Sequence, residues 1–179
     1  MIDPAQERTA VLAQLKLAVS LFEHSLSPKL IPEGGLGIAF AIRNARGRGG
    51  IAAMIWTIGP DGTVISRKEP AFGADEPLAR IVLTAMKFDP AIRSAAIIRS
   101  TPEVLEALDD LFLEICSFDP AREPAGISSM DWGVASCCRD GVPDAITDKG
   151  TVGRGRLIRL FGEKPSDITS NIIICSNRM

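Results

Sequence analysis

Residues 51–58 are Ile51-Ala52-Ala53-Met54-Ile55-Trp56-Thr57-Ile58, and the segment Gly59-Pro60-Asp61-Gly62 follows directly. An unbroken apolar run with β-branched residues is typical of a strand that is buried on both faces. The glycine- and proline-containing segment is typical of a tight turn, and residues 63–65 return from it, so we expect a hairpin. A strand covered on both sides needs helices on both sides of its sheet, which favours an α/β domain.

Patterns on either side of this stretch predict the rest of the fold. Helices are expected where apolar side chains recur every three or four residues, or where proline follows a capping residue. They cover residues 5–26, Asp75 or Glu76 to Asp89, 101–115 and 128–137, with Ser128 or Ser129 capping the last. Further strands are expected over residues 36–43, 95–99, 144–148, 156–161 and 171–176, with a helical turn at 165–169. This order predicts one α/β domain over residues 1–179, with a mixed sheet whose buried strands include 51–58 and 171–176.

Composition excludes several classes of protein. The 179 residues are 46% hydrophobic and 23% charged, which is typical of a chain with a sizeable core and not of a disordered one. The net charge of −2 does not favour a polyanion-binding surface, so no direct nucleic-acid partner is expected. No apolar run approaches the ~20 residues of a membrane helix, and the first residues do not resemble a signal peptide. We therefore expect a cytoplasmic protein without a membrane partner.

The cysteines and the histidine limit the metal chemistry. The four cysteines form no C-x-x-C pair, and we expect them to be buried, reduced thiols. His24 is the single histidine, so a site built from several imidazoles is excluded. We expect no resident cofactor or metal, although Mg²⁺ could arrive with a pyrophosphate.

Three glycine-rich segments carry more polar residues than packing needs: 32–37, 72–80 and 144–156. Glycines let backbone N–H groups approach a ligand closely, and a helix N-terminus carries partial positive charge. Lys149, Arg154 and Arg156 add positive charge to the third segment. Together these features predict phosphate binding, with ordinary turns as the alternative. None of the segments is a Walker A loop or a dinucleotide fingerprint.

Single residues in these segments leave alternatives open. Glu33 follows a proline in a glycine loop, where a charge has little structural reason to be. Arg80 could reach a phosphate or pair with Asp75 or Glu76 at helical spacing. Asp148 could hold Mg²⁺ or accept hydrogen bonds from a ligand, or it could cap backbone N–H groups in a turn.

The order of several short motifs resembles the ThiN family, the archaeal type of thiamine-phosphate synthase. The resemblance covers nearly the whole chain, and each motif is weak alone while the set is fairly specific. It rests on Leu30-Ile31-Pro32-Glu33, Ile38-Ala39-Phe40-Ala41, Phe72-Gly73-Ala74 with Ala79-Arg80, Asp89-Pro90-Ala91-Ile92-Arg93, Met130-Asp131-Trp132-Gly133 and residues 142–150 with Gly153 beyond.

The resemblance implies a fold, a reaction and an assembly. The fold would be a three-layer α/β/α arrangement with a mixed sheet, related to class II aldolases but without their zinc site. The reaction would join hydroxymethylpyrimidine pyrophosphate to thiazole phosphate and release pyrophosphate. The family implies a homodimer, and its domain occurs alone, behind a hydroxymethylpyrimidine kinase, or fused to a DNA-binding regulator.

Several positions depart from the family pattern. Thr57 stands where the family has a functionally important arginine, and Pro77 stands where it has an important histidine. Gly37 replaces the usual asparagine, and Gly153-Arg154-Gly155-Arg156 replaces a Gly-Lys-Glu-Pro segment. A chain with these changes has lost a positive charge and a proton donor that would help pyrophosphate leave.

Three hypotheses follow. The domain binds thiamine phosphate or a phosphorylated precursor with weak or no catalysis; it is an active synthase in which Lys149, Arg154 or Arg156 has taken over the electrostatic role; or it acts on a different phosphorylated substrate. In each, a small phosphorylated molecule is the partner, and the catalytic residues stay unassigned. The expected ligand-binding residues are Glu33, Gly73, Arg80, Asp148, Gly150, Gly153 and Arg154.

Overall fold

The structure is a computed structural model that describes residues 3–66, 69–126, 130–151 and 155–179. Five helices and eight strands are found in these residues. The helices are α1 (Pro4–Ser20), α2 (Glu76–Phe88), α3 (Pro102–Asp110), α4 (Trp132–Cys137) and α5 (Pro165–Asn177). The strands are β1 (Leu36–Ala41), β2 (Ile51–Ile58), β3 (Val64–Ser66), β4 (Ala71–Phe72), β5 (Ser94–Arg99), β6 (Ile115–Phe118), β7 (Ala145–Asp148) and β8 (Leu157–Gly162).

All eight strands join one mixed sheet in the order β3-β2-β1-β5-β8-β7-β6, and β4 pairs with β2 beside β3. The pair β6–β7 is parallel, whereas β1–β2, β1–β5, β5–β8 and β7–β8 are antiparallel. The predicted hairpin is confirmed, since β2 and β3 pair antiparallel around the turn after Ile58.

Each face of the sheet is covered by helices, as the buried run at 51–58 predicts. Along β1, Leu36, Ile38 and Phe40 join a core cluster with α1, α3 and α5, while Ala39 and Ala41 join a second cluster with α2 and α4. This alternation follows from the two-residue period of a strand. The result is the expected three-layer α/β/α arrangement.

Capping residues position the helices. The side chains of Asp3, Asp75, Thr101 and Asp131 each accept a hydrogen bond from a backbone N–H in the first turn of α1 to α4. Such caps satisfy N–H groups that have no partner inside the helix. The start of α2 at Glu76, with Asp75 as its N-cap and a proline in its first turn, agrees with the sequence prediction. The predicted caps Ser128 and Ser129 lie outside the described residues, and Asp131 caps α4 instead.

The predicted strand at 171–176 is wrong. Those residues belong to α5, which continues from the predicted helical turn at 165–169. Ile168, Ile172 and Cys175 are buried at spacings of four and three, which is a helical period hidden by the β-branched composition. Two helices also end earlier than predicted, α1 at Ser20 and α3 at Asp110, and the residues after α3 form the unpredicted strand β6.

The cysteine prediction needs a partial correction. Cys116 on β6 and Cys137 on α4 form a disulfide, with 5.9 Å between their Cα atoms, because the helix packs directly against the strand. Cys138 and Cys175 are free and buried as expected. Burial raises the pKa of each of these two thiols to about 11.

Among the described residues, no helix has the length and apolarity needed to cross a membrane.

Candidate functional site

A cavity of about 420 Å³ opens at one end of the sheet. Its walls come from two pairs of elements: the loop before β1 with the start of α2, and the end of β5 with the start of β8. The volume lies within the roughly 300–1,000 Å³ typical of small-molecule sites. Apolar side chains such as Ile55, Leu78 and Ile97 form part of the lining.

Two glycines allow the loop and β1 to lie close to β2. Gly35 has φ +97°, and a Cβ there would lie 2.9 Å from a methyl group of Ile55 and 3.0 Å from the carbonyl oxygen of Trp56. A Cβ on Gly37 would lie 2.9 Å from Ile55 and 3.0 Å from Leu78. The space that a larger residue would occupy at these positions is therefore filled by the apolar wall of the cavity.

The charged groups of the cavity divide between its walls. Glu33 and Asp75 belong to the wall formed by the loop and α2, and Asp75 Oδ1 accepts from the backbone N–H of Leu78 at 2.8 Å. Arg99, at the end of β5, and Arg156, just before β8, belong to the other wall. No described residue forms an ion pair or side-chain hydrogen bond with Glu33, Arg99 or Arg156, and all three residues are exposed.

Ser100 adds a neutral hydrogen-bonding group beside these arginines. Its backbone N–H donates to the carbonyl oxygen of Arg156 at 3.0 Å, which ties the end of β5 to the start of β8. Its Oγ atom is buried and has no hydrogen-bond partner among the described residues, although Ser100 lines the cavity.

A second, more open cavity of about 670 Å³ adjoins the first. The two share Gly155 and Arg156, and the second also contains Lys149, Gly150 and Asp119. Arg156 therefore borders both spaces. The arrangement places two cations, Lys149 and Arg156, around one opening, which suits an anionic group.

The structure separates several of the predicted ligand-binding residues. Glu33 lines the first cavity and Gly150 the second, whereas neither Gly73 nor Arg80 lines either. Arg80 forms the helical ion pair with Glu76, at 3.6 Å. Gly73 has φ +72°, and its carbonyl oxygen accepts from Arg48 Nε at 2.7 Å. Of the two alternatives that the sequence left open for Arg80, the structure therefore shows the ion pair at helical spacing.

Asp148 lines neither cavity, although it contacts Gly150, which lines the second. It is 2% exposed and forms a buried ion pair with Arg159. Its other oxygen, Oδ1, accepts from the backbone N–H of Gly150 at 2.7 Å, the capping role considered from the sequence. Gly153 and Arg154, which complete the predicted set, lie outside the described residues.

The two replaced family positions lie at or beside the first cavity. Pro77 lines it, within the first turn of α2. Thr57 lies on β2, and its methyl group is 3.3 Å from the place that a Cβ atom on Gly35 would occupy.

Sequence reasoning missed Arg99 and Ser100 as site residues. Their position in the sequence was the available signal. Both residues come at the carboxyl end of a predicted strand and just before a helix that begins with proline, and ligands bind at the carboxyl ends of strands in many α/β folds.

Among the residues that the structure describes, no group of three or more histidine, cysteine or acidic side chains is placed to hold a metal ion.

Comparisons with known proteins agree on one family. The model of the family described as thiamine-phosphate synthase ThiN matches residues 14–174. The chain is 31% identical over 172 residues to the bifunctional thiamine biosynthesis protein ThiDN of Methanocaldococcus jannaschii, covering 90% of this chain and 39% of that protein. It is 28% identical over 147 residues to thiamine-phosphate synthase ThiN of Methanothermobacter thermautotrophicus, covering 78% of this chain and 77% of that protein.

Solved structures give the same relationship and a wider one. The C-terminal domain of phosphomethylpyrimidine kinase matches with a TM-score of 0.82 and 27% identity, over 94% of this chain and all of that domain. L-fuculose 1-phosphate aldolase from Glaciozyma antarctica matches with a TM-score of 0.51 and 13% identity, over 99% of this chain and 74% of that one. The second likeness is one of fold alone, and it agrees with the predicted class II aldolase-like architecture.

Proposed function

We propose a function from the premise that this chain belongs to the ThiN family of thiamine-phosphate synthases. The domain binds thiamine phosphate or a phosphorylated precursor in the cavity between the Glu33 loop and Arg156, and its synthase turnover is weak or absent.

The cavity supports the binding half of this proposal. Its apolar walls, including Ile55 and Leu78, suit an aromatic ring. Arg99 and Arg156 supply two cations on one wall, and the adjoining cavity adds Lys149. Arginine–phosphate hydrogen bonds are among the stronger polar contacts that a protein makes, which favours a phosphorylated ligand over a neutral one.

The observation that carries the catalytic half is Pro77 in the wall of the cavity. The resemblance to the family places a functionally important histidine there, and proline has neither a titratable side chain nor a backbone N–H. Thr57 likewise replaces the family's arginine beside Gly35. Stabilising the charge of a departing pyrophosphate requires such groups close to it.

A second hypothesis, an active synthase, is favoured by Arg156. Because this residue borders both cavities, its guanidinium could stabilise a pyrophosphate that leaves from one towards the other. Binding and turnover measured on the same protein separate the two hypotheses.

The test combines calorimetric titration of thiamine phosphate with a synthase assay on hydroxymethylpyrimidine pyrophosphate and thiazole phosphate, with and without Mg²⁺. We expect binding to the unchanged protein and turnover far below that of an active family enzyme measured alongside it. The double variant Thr57→Arg/Pro77→His restores a charge and a proton donor, and its turnover should rise at least tenfold. Thr57→Val/Pro77→Ala is the matched control and should not gain activity.

Two results would count against the proposal. Turnover by the unchanged protein equal to that of the family enzyme would establish the active synthase. No affinity for thiamine phosphate or for either precursor would remove the ligand assignment.

The context of the domain is also a proposal. The chain spans 39% of the length of the bifunctional relative and 77% of the shorter one. We infer a homodimer in the cytoplasm, supported by the implications of the family, and no direct contact with nucleic acid or membrane. Analytical ultracentrifugation tests the dimer, and a monomer at micromolar concentration would contradict it.

A further inference from the structure

Ser100 differs from the other buried hydroxyl groups of the described residues, which have hydrogen-bond partners. Ser94 Oγ donates to the carbonyl oxygen of Ala39 at 2.7 Å, and Thr84 Oγ1 donates to that of Arg80 at 2.7 Å. Ser100 Oγ is buried without any such partner among the described residues. A buried polar atom without a hydrogen bond is costly, so its retention needs a reason.

The position of Ser100 supplies that reason. Two other buried polar atoms without partners, Trp56 Nε1 and Arg159 Nε, belong to side chains that do not line the cavity. Ser100 does line it, between Arg99 in sequence and Arg156 across the backbone hydrogen bond. The residues that line this wall therefore include one serine and two cations.

The opposite charge lies on the other wall. Glu33 has no partner among the described residues, and Asp75 begins α2 nearby in the lining. Carboxylates accept hydrogen bonds from amino groups and attract cations. The cavity thus has a positive wall and a negative wall, with apolar side chains such as Ile55 forming part of its surface.

From this polarity we infer that the cavity holds its ligand in one orientation and selects for the phosphate. The phosphate lies on Ser100, Arg99 and Arg156, and the amino-bearing or cationic ring faces Glu33 and Asp75. Ser100 is then a specificity-determining residue whose hydroxyl group turns into the cavity and donates a hydrogen bond to a phosphate oxygen. This inference rests on the proposed function. It adds the orientation of the ligand in the cavity and the residues that contact its phosphate and its ring.

Thiamine phosphate and thiamine are the probes that test the orientation, since they differ only in the phosphate. Removing a charge-assisted hydrogen bond from a binding site weakens affinity by about tenfold or more. The unchanged protein should therefore bind thiamine phosphate at least tenfold more tightly than thiamine in calorimetric titrations.

Variants at each wall should then behave differently. Ser100→Ala and Arg156→Gln should weaken thiamine phosphate binding while leaving the affinity for thiamine within twofold, so the preference for the phosphate shrinks. Glu33→Gln should weaken both ligands by a similar factor and preserve the preference. Ser170→Ala and Arg139→Gln, two substitutions away from the cavity, are the matched controls and should change neither affinity.

The outcomes of these titrations distinguish a failure of this inference from a failure of the proposed function. Tight thiamine phosphate binding with a preference unchanged in Ser100→Ala and Arg156→Gln would overturn the orientation and leave the proposed function intact. No binding of either probe by the unchanged protein would overturn this inference, and no binding of either phosphorylated precursor as well would overturn the proposed function with it. Circular dichroism spectra that match the unchanged protein show that each variant is folded before its titration is interpreted.

Discussion

Arg156 and Arg159 are three residues apart, and their environments are opposite: Arg156 is exposed and Arg159 is buried. Arg159 points inward from β8, is 7% exposed, forms the buried ion pair with Asp148 and lies with its guanidinium carbon 5.0 Å from the centre of the Phe118 ring. Arg156 is exposed, borders both cavities and has no ion-pair partner among the described residues.

The contrast separates a buried charge that is paired within the fold from an exposed charge at a cavity. A buried charge must be compensated within the fold, because removing it from water is expensive. An arginine at the mouth of a cavity keeps its water when empty and can exchange it for a ligand. The same residue type is thus paired inside the fold at one position and exposed at a cavity three residues away, and the following experiments test the consequences of that difference for stability.

Removing the buried cation should have the largest effect. Arg159→Met removes a cation that pairs with the buried Asp148 carboxylate, and breaking a buried pair costs about 3–5 kcal/mol. Urea denaturation should show this loss for Arg159→Met, and partial recovery in the double variant Asp148→Asn/Arg159→Met. Arg156→Met should stay within about 0.5 kcal/mol of the unchanged protein. Equal losses at both arginines would abolish the distinction.

Opening the disulfide should cost somewhat less. Cys116 and Cys137 are 21 positions apart in the sequence, and cross-linking a loop of this size stabilises a fold by about 3 kcal/mol through the unfolded state. A reducing agent should therefore lower the melting temperature of the unchanged protein. The variant Cys116→Ala/Cys137→Ala should melt at the same temperature with and without reductant. If reductant leaves the melting temperature of the unchanged protein the same, the disulfide is absent in solution.

The buried thiols predict a dependence of stability on alkaline pH. Burial raises the pKa of Cys138 and Cys175 from about 9 to about 11, so the folded chain retains protons that the unfolded chain releases. Their stabilising contribution is complete below pH 9 and disappears as the pH rises through 11, on the order of 2 kcal/mol per thiol. Denaturation between pH 8 and 11 should show a shallower decline for Cys175→Ala. An identical slope would show that this thiol titrates as in the unfolded chain.

Ser100→Ala should give the smallest change, and of opposite sign. Deleting a buried hydroxyl group that lacks a partner should stabilise the empty protein by up to about 1 kcal/mol. Thermal denaturation without ligand measures this gain, with Ser94→Ala as the control that should lose stability because its hydroxyl group is bonded. A loss at Ser100 as large as at Ser94 would mean that the hydroxyl group serves the fold.

Local signals predicted most of the fold. The apolar run at 51–58, the turn after it and the capping residue Asp75 each depend on neighbours in sequence, and all three agree with the structure. The error at 171–176 arose because three successive isoleucines favour a strand by composition. Only packing against α1 and α3 shows that they belong to a helix.

The candidate site was harder to predict because it depends on distant parts of the chain. Glu33 was found from its unusual place in a glycine loop, and it does line the cavity. Arg99 and Arg156 are 57 positions apart in the numbering and meet only because β5 pairs with β8. Arg80 carries the right charge in a motif, but a neighbour one helical turn away, Glu76, pairs with it.

The short outer strands of the sheet affect how readily the protein can aggregate at high concentration. One edge is formed by two short pieces, β3 with three residues and β4 with two, and the other by β6 with four. A long exposed edge offers unpaired N–H and C=O groups to which another chain can add a strand, and short edges are a recognised protection against such aggregation. Within its described residues, the sheet therefore keeps its six- and eight-residue strands in the interior, where no second molecule can extend them.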